Sequence, residues 1–182
     1  MTGVSVFCLN CRQLKLATVK VCYSLPRIDA RIDALSESRW FSTFDLRSGY
    51  HQVAMKPRDA EKTAFITRNR TYCFQAMPFR LCNAPATFQR LMNVVLSGLN
   101  QDVLLVYLDD ITIHFGDLPS LPRIIERFLE RMRLANLKLK VSKCRMLQRE
   151  VHFLGHVIFR TMVRTWIRPR SWRSRPCLNP RT

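Results

Sequence analysis

Apolar residues are densest between 103 and 115, "VLLVYLDDITIHF", where two apolar runs are split by adjacent aspartates. Val103 to Leu108 are six consecutive apolar residues, enough for a buried strand and far short of the ~20 that span a membrane. Ile111, Ile113 and Phe115 alternate with Thr112 and His114, the period of a strand with one buried face. A tight turn between the two runs places Asp109 and Asp110 at a hairpin tip, where two carboxylates repel unless a cation sits beside them. "RWFSTFD" (39–45) reads as a further strand ending in Asp45, with Gly49 of "LRSGYHQ" as the turn residue after it.

The remaining pattern alternates irregularly between strands and helices. "VSVFCL" reads as a strand, and Pro26 opens a helix carrying Ile28, Ile32 and Leu35 on one face. "HQVAMKP" and "KTAFITR" read as strands separated by the polar "RDAE", and "ITRNRTYCF" as a hairpin with Asn69 near its tip. The clearest helix is 83–98, with Asn83 as N-cap, Pro85 just inside and Gly98 closing it. Its stripe of Phe88, Leu91, Met92, Val95 and Leu96 is core, and the same period puts Gln89 on the solvent side. A second amphipathic helix covers 120–136, with Ile124, Ile125, Phe128, Met132 and Ala135 inward and Asn136 ending it. "KLKVSKCRML" and "EVHFLGHVI" suggest two short strands. Without a regular βαβ period, the pattern predicts an α+β fold, an antiparallel sheet with helices packed on one face.

Composition adds a partner class. Lys and Arg number 30 against 13 Asp and Glu, a formal net charge of +17 that destabilises a compact chain unless a polyanion neutralises it. Nucleic acid is therefore the leading partner. Seven cysteines, odd in number and irregularly spaced, read as reduced thiols, and no stretch has the length and apolarity of a membrane span or a secretory signal. The chain is expected to be intracellular and cytoplasmic, away from membranes. From 159 the texture changes to seven arginines without an acid, so 159–182 reads as a disordered, solvated basic tail, with stacking of Trp166 and Trp172 on a nucleic acid as the alternative.

Asp45 at one strand end and Asp109 at a hairpin tip converge if the two strands are neighbours. Carboxylates gathered round one point favour hard cations such as Mg²⁺ or Mn²⁺, and two such ions about 3.5–4 Å apart support phosphoryl transfer. Basic charge with paired carboxylates points to nucleotidyl transfer, with a nuclease as the other two-metal chemistry.

The motifs "FSTFDLRSGYHQVAMKP", "KTAFITR", "MPFRLCNAPATFQRLMN", "VYLDDI", "LKLKVSKC" and "FLGHVI", in this order, closely resemble the reverse transcriptase of gypsy-type LTR retrotransposons. The resemblance implies the palm and part of the fingers of a right-hand polymerase over 1–158. It also implies two Mg²⁺ ions, with Mn²⁺ as a substitute, a primed RNA or DNA template and dNTPs; oligomeric state stays open. By motif, Asp45, Asp109 and Asp110 are implied as catalytic metal ligands, with the Leu46 backbone also facing the metal. Tyr50 matches an aromatic gate against a ribose 2′-hydroxyl, and Gln89 lies where the family helix meets the templating pair. Lys143 resembles a lysine beside the triphosphate, Arg12 is retained from the fingers motif, and Phe153, Leu154, Gly155 and His156 resemble a primer grip.

The chain also departs from the family pattern. Arg80 replaces the glycine of "MPFGLCNAP", where a long cation blocks the nucleotide pocket or strains the turn. Arg80 is still counted with the nucleotide-binding positions. In "SVFCLNCRQLK", Val6, Asn10 and Lys15 stand where the family has arginine, aspartate and asparagine. On this resemblance the chain is expected to lack the upstream fingers, thumb and RNase H, as in a decayed or truncated copy. The alternative reading is a catalytically inactive, basic nucleic-acid-binding remnant of such an element.

Overall fold

A computed structural model describes residues 10–23, 35, 38–99 and 103–159, and the backbone of 162–165. In chain order the elements are α1 (Arg12–Ala17), β1 (Trp40–Asp45), α2 (Pro57–Ala60), β2 (Phe65–Ile66), β3 (Thr71–Tyr72), α3 (Ala84–Val95) and β4 (Leu104–Tyr107). They continue with β5 (Asp110–Phe115), α4 (Leu121–Leu134), β6 (Arg145–Gln148), β7 (Glu150–Phe153), β8 (His156–Phe159) and β9 (Met162–Thr165). A four-stranded antiparallel sheet runs β4-β5-β1-β6, beside a hairpin β2-β3 and a three-stranded sheet β7-β8-β9.

The period of two along each strand sends alternate side chains to opposite faces. Phe44, Ile111 and Ile113 meet Phe88 and Met92 of α3 and Phe128 and Met132 of α4 on one face. The Phe44 and Phe128 ring centroids lie 4.7 Å apart. On the other face Phe41 and Leu105 meet Val151, Phe153 and Ile158 of the small sheet, together with Leu35. The fold is α+β, an antiparallel sheet with both long helices on one face.

That second layer changes one expectation. Thr112 and His114 alternate with the apolar residues of β5, yet each is only 2% exposed because the small sheet covers them. Ser38 Oγ lies 2.8 Å from His114 Nδ1, which lets a polar pair sit in the interior.

Several local expectations also shift. "HQVAMKP" is not a strand: 49–52 is a 3₁₀ turn, and Ala54 makes one bridge to Ala76. "RDAE" is helical rather than a loop, because Pro57 opens α2. The 65–72 hairpin forms as expected, with Phe65 opposite Tyr72. Asn83 precedes α3 but makes no capping bond. Its Nδ2 donates to the Val19 carbonyl at 2.9 Å and its Oδ1 accepts from the Val21 N–H at 3.1 Å, tying the 19–21 segment to the helix start. Gly98 (φ +77°) and Asn136 (φ +53°) end the two helices in the left-handed conformation.

"KLKVSKCRML" is divided between a 3₁₀ turn at 141–143 and β6, and "EVHFLGHVI" folds back on itself as β7 and β8. The change of texture at 159 falls inside the small sheet, where Phe159 pairs with Met162. The "VSVFCL" strand, the helix opened by Pro26, Val6, and Trp166 and Trp172 lie outside the described residues.

Phe128 of α4 is fully buried against the sheet, in the main apolar cluster. Replacing Phe128 by alanine is expected to destabilise the fold by about 3–5 kcal/mol in chemical denaturation. A loss below about 1 kcal/mol would show that this helix–sheet seam is not the main core.

Candidate active site

The site begins with a turn. Tyr107 pairs with Asp110, leaving Leu108 and Asp109 as a two-residue loop. Leu108 has φ +53° and Asp109 does not share it, the type II′ pattern that ordinarily takes glycine first. A leucine there costs of order 1–2 kcal/mol. Its N–H donates to Gln89 Oε1 at 2.8 Å. Gln89 is completely buried rather than solvent-facing, because β4 passes directly over this side of α3. Its Nε2 donates to the Val106 carbonyl at 3.4 Å and to Asn93 Oδ1 at 3.1 Å.

Antiparallel pairing puts Asp45 directly opposite Asp110 at the end of the sheet, and the turn adds Asp109 beside them. Like charges opposite one another across a strand pair are destabilising. Lys143 answers this locally, with Nζ 2.9 Å from Asp45 Oδ2. Backbone bonds hold the lysine segment in place: Lys140 N–H donates to the Asp45 carbonyl at 2.8 Å, and Arg47 N–H to the Lys138 carbonyl at 2.9 Å. Gln52 stitches the same strip, donating to the Arg47 and Lys138 carbonyls and accepting from Lys138 N–H at 2.6 Å.

Burial raises the Asp109 carboxyl above the ordinary carboxylate range; Asp110 and Asp45 raise it further, and Lys143 opposes them. Burial and then Asp45 push Asp110 up in the same way. The hydrogen bond to Asp45 and its charge hold the Lys143 ammonium above its usual range. Asp109 Oδ1 is buried and accepts no hydrogen bond from the described residues. Gly49 lies against it: a Cβ built on Gly49 would stand 2.6 Å from Asp109 Oδ1 and 3.1 Å from Phe88 Cζ. Gly49 is therefore needed for clearance, while the left-handed turn residue is its neighbour Ser48 (φ +53°). Asp45, Ser48, Gly49, Asp109 and Lys143 line a cleft of about 680 Å³, while Asp110 faces a smaller one of about 220 Å³ that Asp45 and Lys143 share. Leu46 lines the larger cleft too, with its side chain buried in the main core.

A second cavity, of about 620 Å³, is lined by Tyr50, Arg80, Lys15 and Lys20 among others. Tyr50 is at once a core and a cavity residue, its ring edge-on to Phe88 at 5.2 Å and to Phe79 at 5.4 Å. Burial, with the Asp109 charge second, raises its hydroxyl above the usual range. Arg80 forms part of the wall, and its φ of +75° is one that glycine adopts freely. Arg12 opens α1 and is not among the residues lining this cavity.

Phe153, Leu154, Gly155 and His156 form the β7–β8 tip, with φ +48° and +86° at the two loop residues, a type I′ turn. Phe153 is buried edge-on to Tyr107 at 6.5 Å, which seats the hairpin beside the strand that leads into the Leu108–Asp109 turn.

Among the described residues no three His, Cys, Asp or Glu side chains are drawn together as a ready metal cage. The donors nevertheless suit a hard divalent cation: crowded carboxylates, one buried carboxylate oxygen without a partner, and an ammonium compensating the charge. Ser48 and Gln52 carry this geometry with no signal beyond their place next to Asp45, and Gly49, read as the turn residue, serves instead as clearance for Asp109.

Raised folded-state pKa values bind protons that the unfolded chain has released, so Asp109 and Asp110 lower stability as pH rises above 3.8 through their folded values. Asp109→Asn is expected to raise the melting temperature in chelator at pH 7 and to do so much less at pH 3. A lower melting temperature at pH 7 would contradict this. Arg80→Gly removes a left-handed non-glycine residue, and a gain of about 1 kcal/mol in denaturant titration is expected.

Residues 2–158 match the family model described as reverse transcriptase (RNA-dependent DNA polymerase). The chain is 40% identical over 150 residues to the retrovirus-related Pol polyprotein from transposon 297 of Drosophila melanogaster, and 32% identical over 150 residues to that from transposon gypsy. Each alignment covers 82% of this chain and 14% of the relative, so the chain spans about one seventh of their length. A foamy viral protease–reverse transcriptase in complex with an RNA/DNA hybrid superposes with a TM-score of 0.76 at 21% identity, over 86% of this chain and 21% of that one. With the family model matched over most of its length and the same fold, this chain belongs to the reverse transcriptase family, in the gypsy-type LTR retrotransposon lineage.

Proposed function

We propose that the chain acts as the catalytic palm of an RNA-directed DNA polymerase, extending a primer 3′-hydroxyl with dNTPs on an RNA or DNA template. The observation that carries this is the meeting of Asp45, Asp109 and Asp110 at one sheet end, with Lys143 as their counter-charge and Asp109 Oδ1 unpartnered. Asp45, Asp109 and Asp110, with the Leu46 backbone, are the groups that would hold Mg²⁺ ions. When bound, two such ions favour ionisation of the primer hydroxyl and neutralise charge on the departing pyrophosphate.

The chain's own residues do the positioning. Lys15, Lys20 and Arg80 give the adjoining cavity a positive wall for a triphosphate, and Lys143, once released from Asp45, carries a proton within the carboxylate cleft. The Tyr50 ring, fixed edge-on between Phe79 and Phe88, restricts what fits beside the sugar. The 153–156 hairpin, seated through Phe153 on Tyr107, offers a rigid rest for the primer end. The net charge of +17 favours a nucleic acid duplex, in keeping with the RNA/DNA hybrid held by the foamy viral enzyme. Among the described residues no helix is long and apolar enough to cross a membrane.

Arg80 favours a second reading, a nucleic-acid-binding remnant without turnover, since a long cation occupies a backbone position suited to glycine at the nucleotide cavity. Primer extension on an RNA template with Mg²⁺ and dNTPs separates the two. Extension by the unaltered chain, abolished in Asp109→Asn and increased in Arg80→Gly, is the expected outcome. Salt-sensitive RNA binding without extension, in both the unaltered chain and Arg80→Gly, would leave the remnant.

A further inference from the structure

A non-glycine residue in a left-handed turn persists only where its surroundings over-determine it. Leu108 is such a residue, and it immediately precedes Asp109. Three observations on the neighbouring helix bear on how it is held. Gln89 is completely buried, its Oε1 takes the Leu108 N–H at 2.8 Å, and its Nε2 is turned toward the Val106 carbonyl on the strand leading into the turn. One side chain thus holds both the turn and the strand before it. The same Nε2 donates to Asn93 Oδ1, and Asn93 Nδ2 donates to the Tyr23 hydroxyl at 2.7 Å. Arg90 lies over the Tyr23 ring at 5.3 Å. A chain of hydrogen bonds therefore runs from the 19–23 segment through α3 to the catalytic turn.

We infer that Gln89 is a positioning residue that holds Leu108 in its left-handed conformation, and so sets the Asp109 carboxylate against Gly49, with Asn93 and Tyr23 as its outer support. The inference rests on the proposed polymerase reading for its catalytic meaning, and on hydrogen bonding alone for the clamp itself. The bond partners also make the two functions of the amide separable. Glutamate keeps an acceptor for Leu108 N–H, whereas methionine keeps the volume and loses both bonds.

The test is amide hydrogen exchange by NMR on the unaltered chain, Gln89→Met, Gln89→Glu and Asn93→Ala. In Gln89→Met, exchange at Leu108 is expected to rise about tenfold, the equivalent of one lost hydrogen bond, while amides in β1 and β5 stay unchanged. Exchange in Gln89→Glu, which keeps the acceptor for Leu108 N–H and loses the donation to the Val106 carbonyl, is expected to rise less than in Gln89→Met. Unchanged exchange at Leu108 in Gln89→Met, or an equal rise across β1 and β5, overturns the clamp. Should Gln89→Met not fold, Asn93→Ala decides: a rise confined to Leu108 supports the clamp, and none overturns it. A second readout is Mn²⁺ affinity, expected to fall about tenfold in Gln89→Met and to recover in Gln89→Glu. Unaltered affinity in Gln89→Met overturns the positioning of Asp109. Failure of the unaltered chain to bind Mn²⁺ counts against the polymerase reading, while the exchange measurement reads the clamp independently.

Discussion

Three carboxylates gathered at the end of one sheet repel each other, and the surrounding structure is arranged to hold them there. Asp45 and Asp110 face one another across β1 and β5, and Asp109 follows from a turn whose first residue is itself strained. Hydrophobic burial supplies the force that keeps these strands adjacent: Phe44, Ile111 and Ile113 are locked under α3 and α4, and Phe41 and Leu105 under the small sheet. A sheet covered on both faces cannot slip its register, since a one-residue shift would turn Phe44 and Phe41 to the wrong layers. The charge crowding is thus held by packing, and Lys143 relieves part of it.

The same arrangement explains why small and neutral residues matter around the carboxylates. Gly49 leaves room for Asp109 Oδ1, and Gln52 seals the Asp45–Arg47 strip to Lys138 through its amide alone. Neither brings charge, so neither competes with a cation for the carboxylates. Arg80 is the residue at odds with its place, a cation in a left-handed conformation at the cavity wall.

Much of this was legible along the chain because it is local or because it is a family motif. Two apolar runs around adjacent aspartates suffice for the β4–β5 hairpin, and helical spacing of Phe88 and Met92 or of Phe128 and Met132 suffices for α3 and α4. "HQVAMKP" failed as a strand because an apolar alternation of that length cannot tell a strand from a 3₁₀ turn followed by a single bridge. In "EVHFLGHVI" the spacing alone suggested one short strand, because Leu154, rather than a second glycine, takes one of the two left-handed turn positions; the hairpin at 153–156 was implied by the primer-grip resemblance.

The sequence by itself determined the β4–β5 hairpin and the two long helices, the antiparallel α+β class, the basic surplus and the family, since each depends on residue order and on spacing within one segment. The tertiary structure alone decided which polar groups are buried and whom they meet. Gln89 looked solvent-facing until β4 crossed it, Thr112 and His114 until the small sheet covered them, and Lys143 was one lysine among many until its turn came beside Asp45. These contacts join residues 17 to 98 positions apart. Helical and strand periods describe how a segment sorts its own faces, and they carry no information on which distant segment will close over each face.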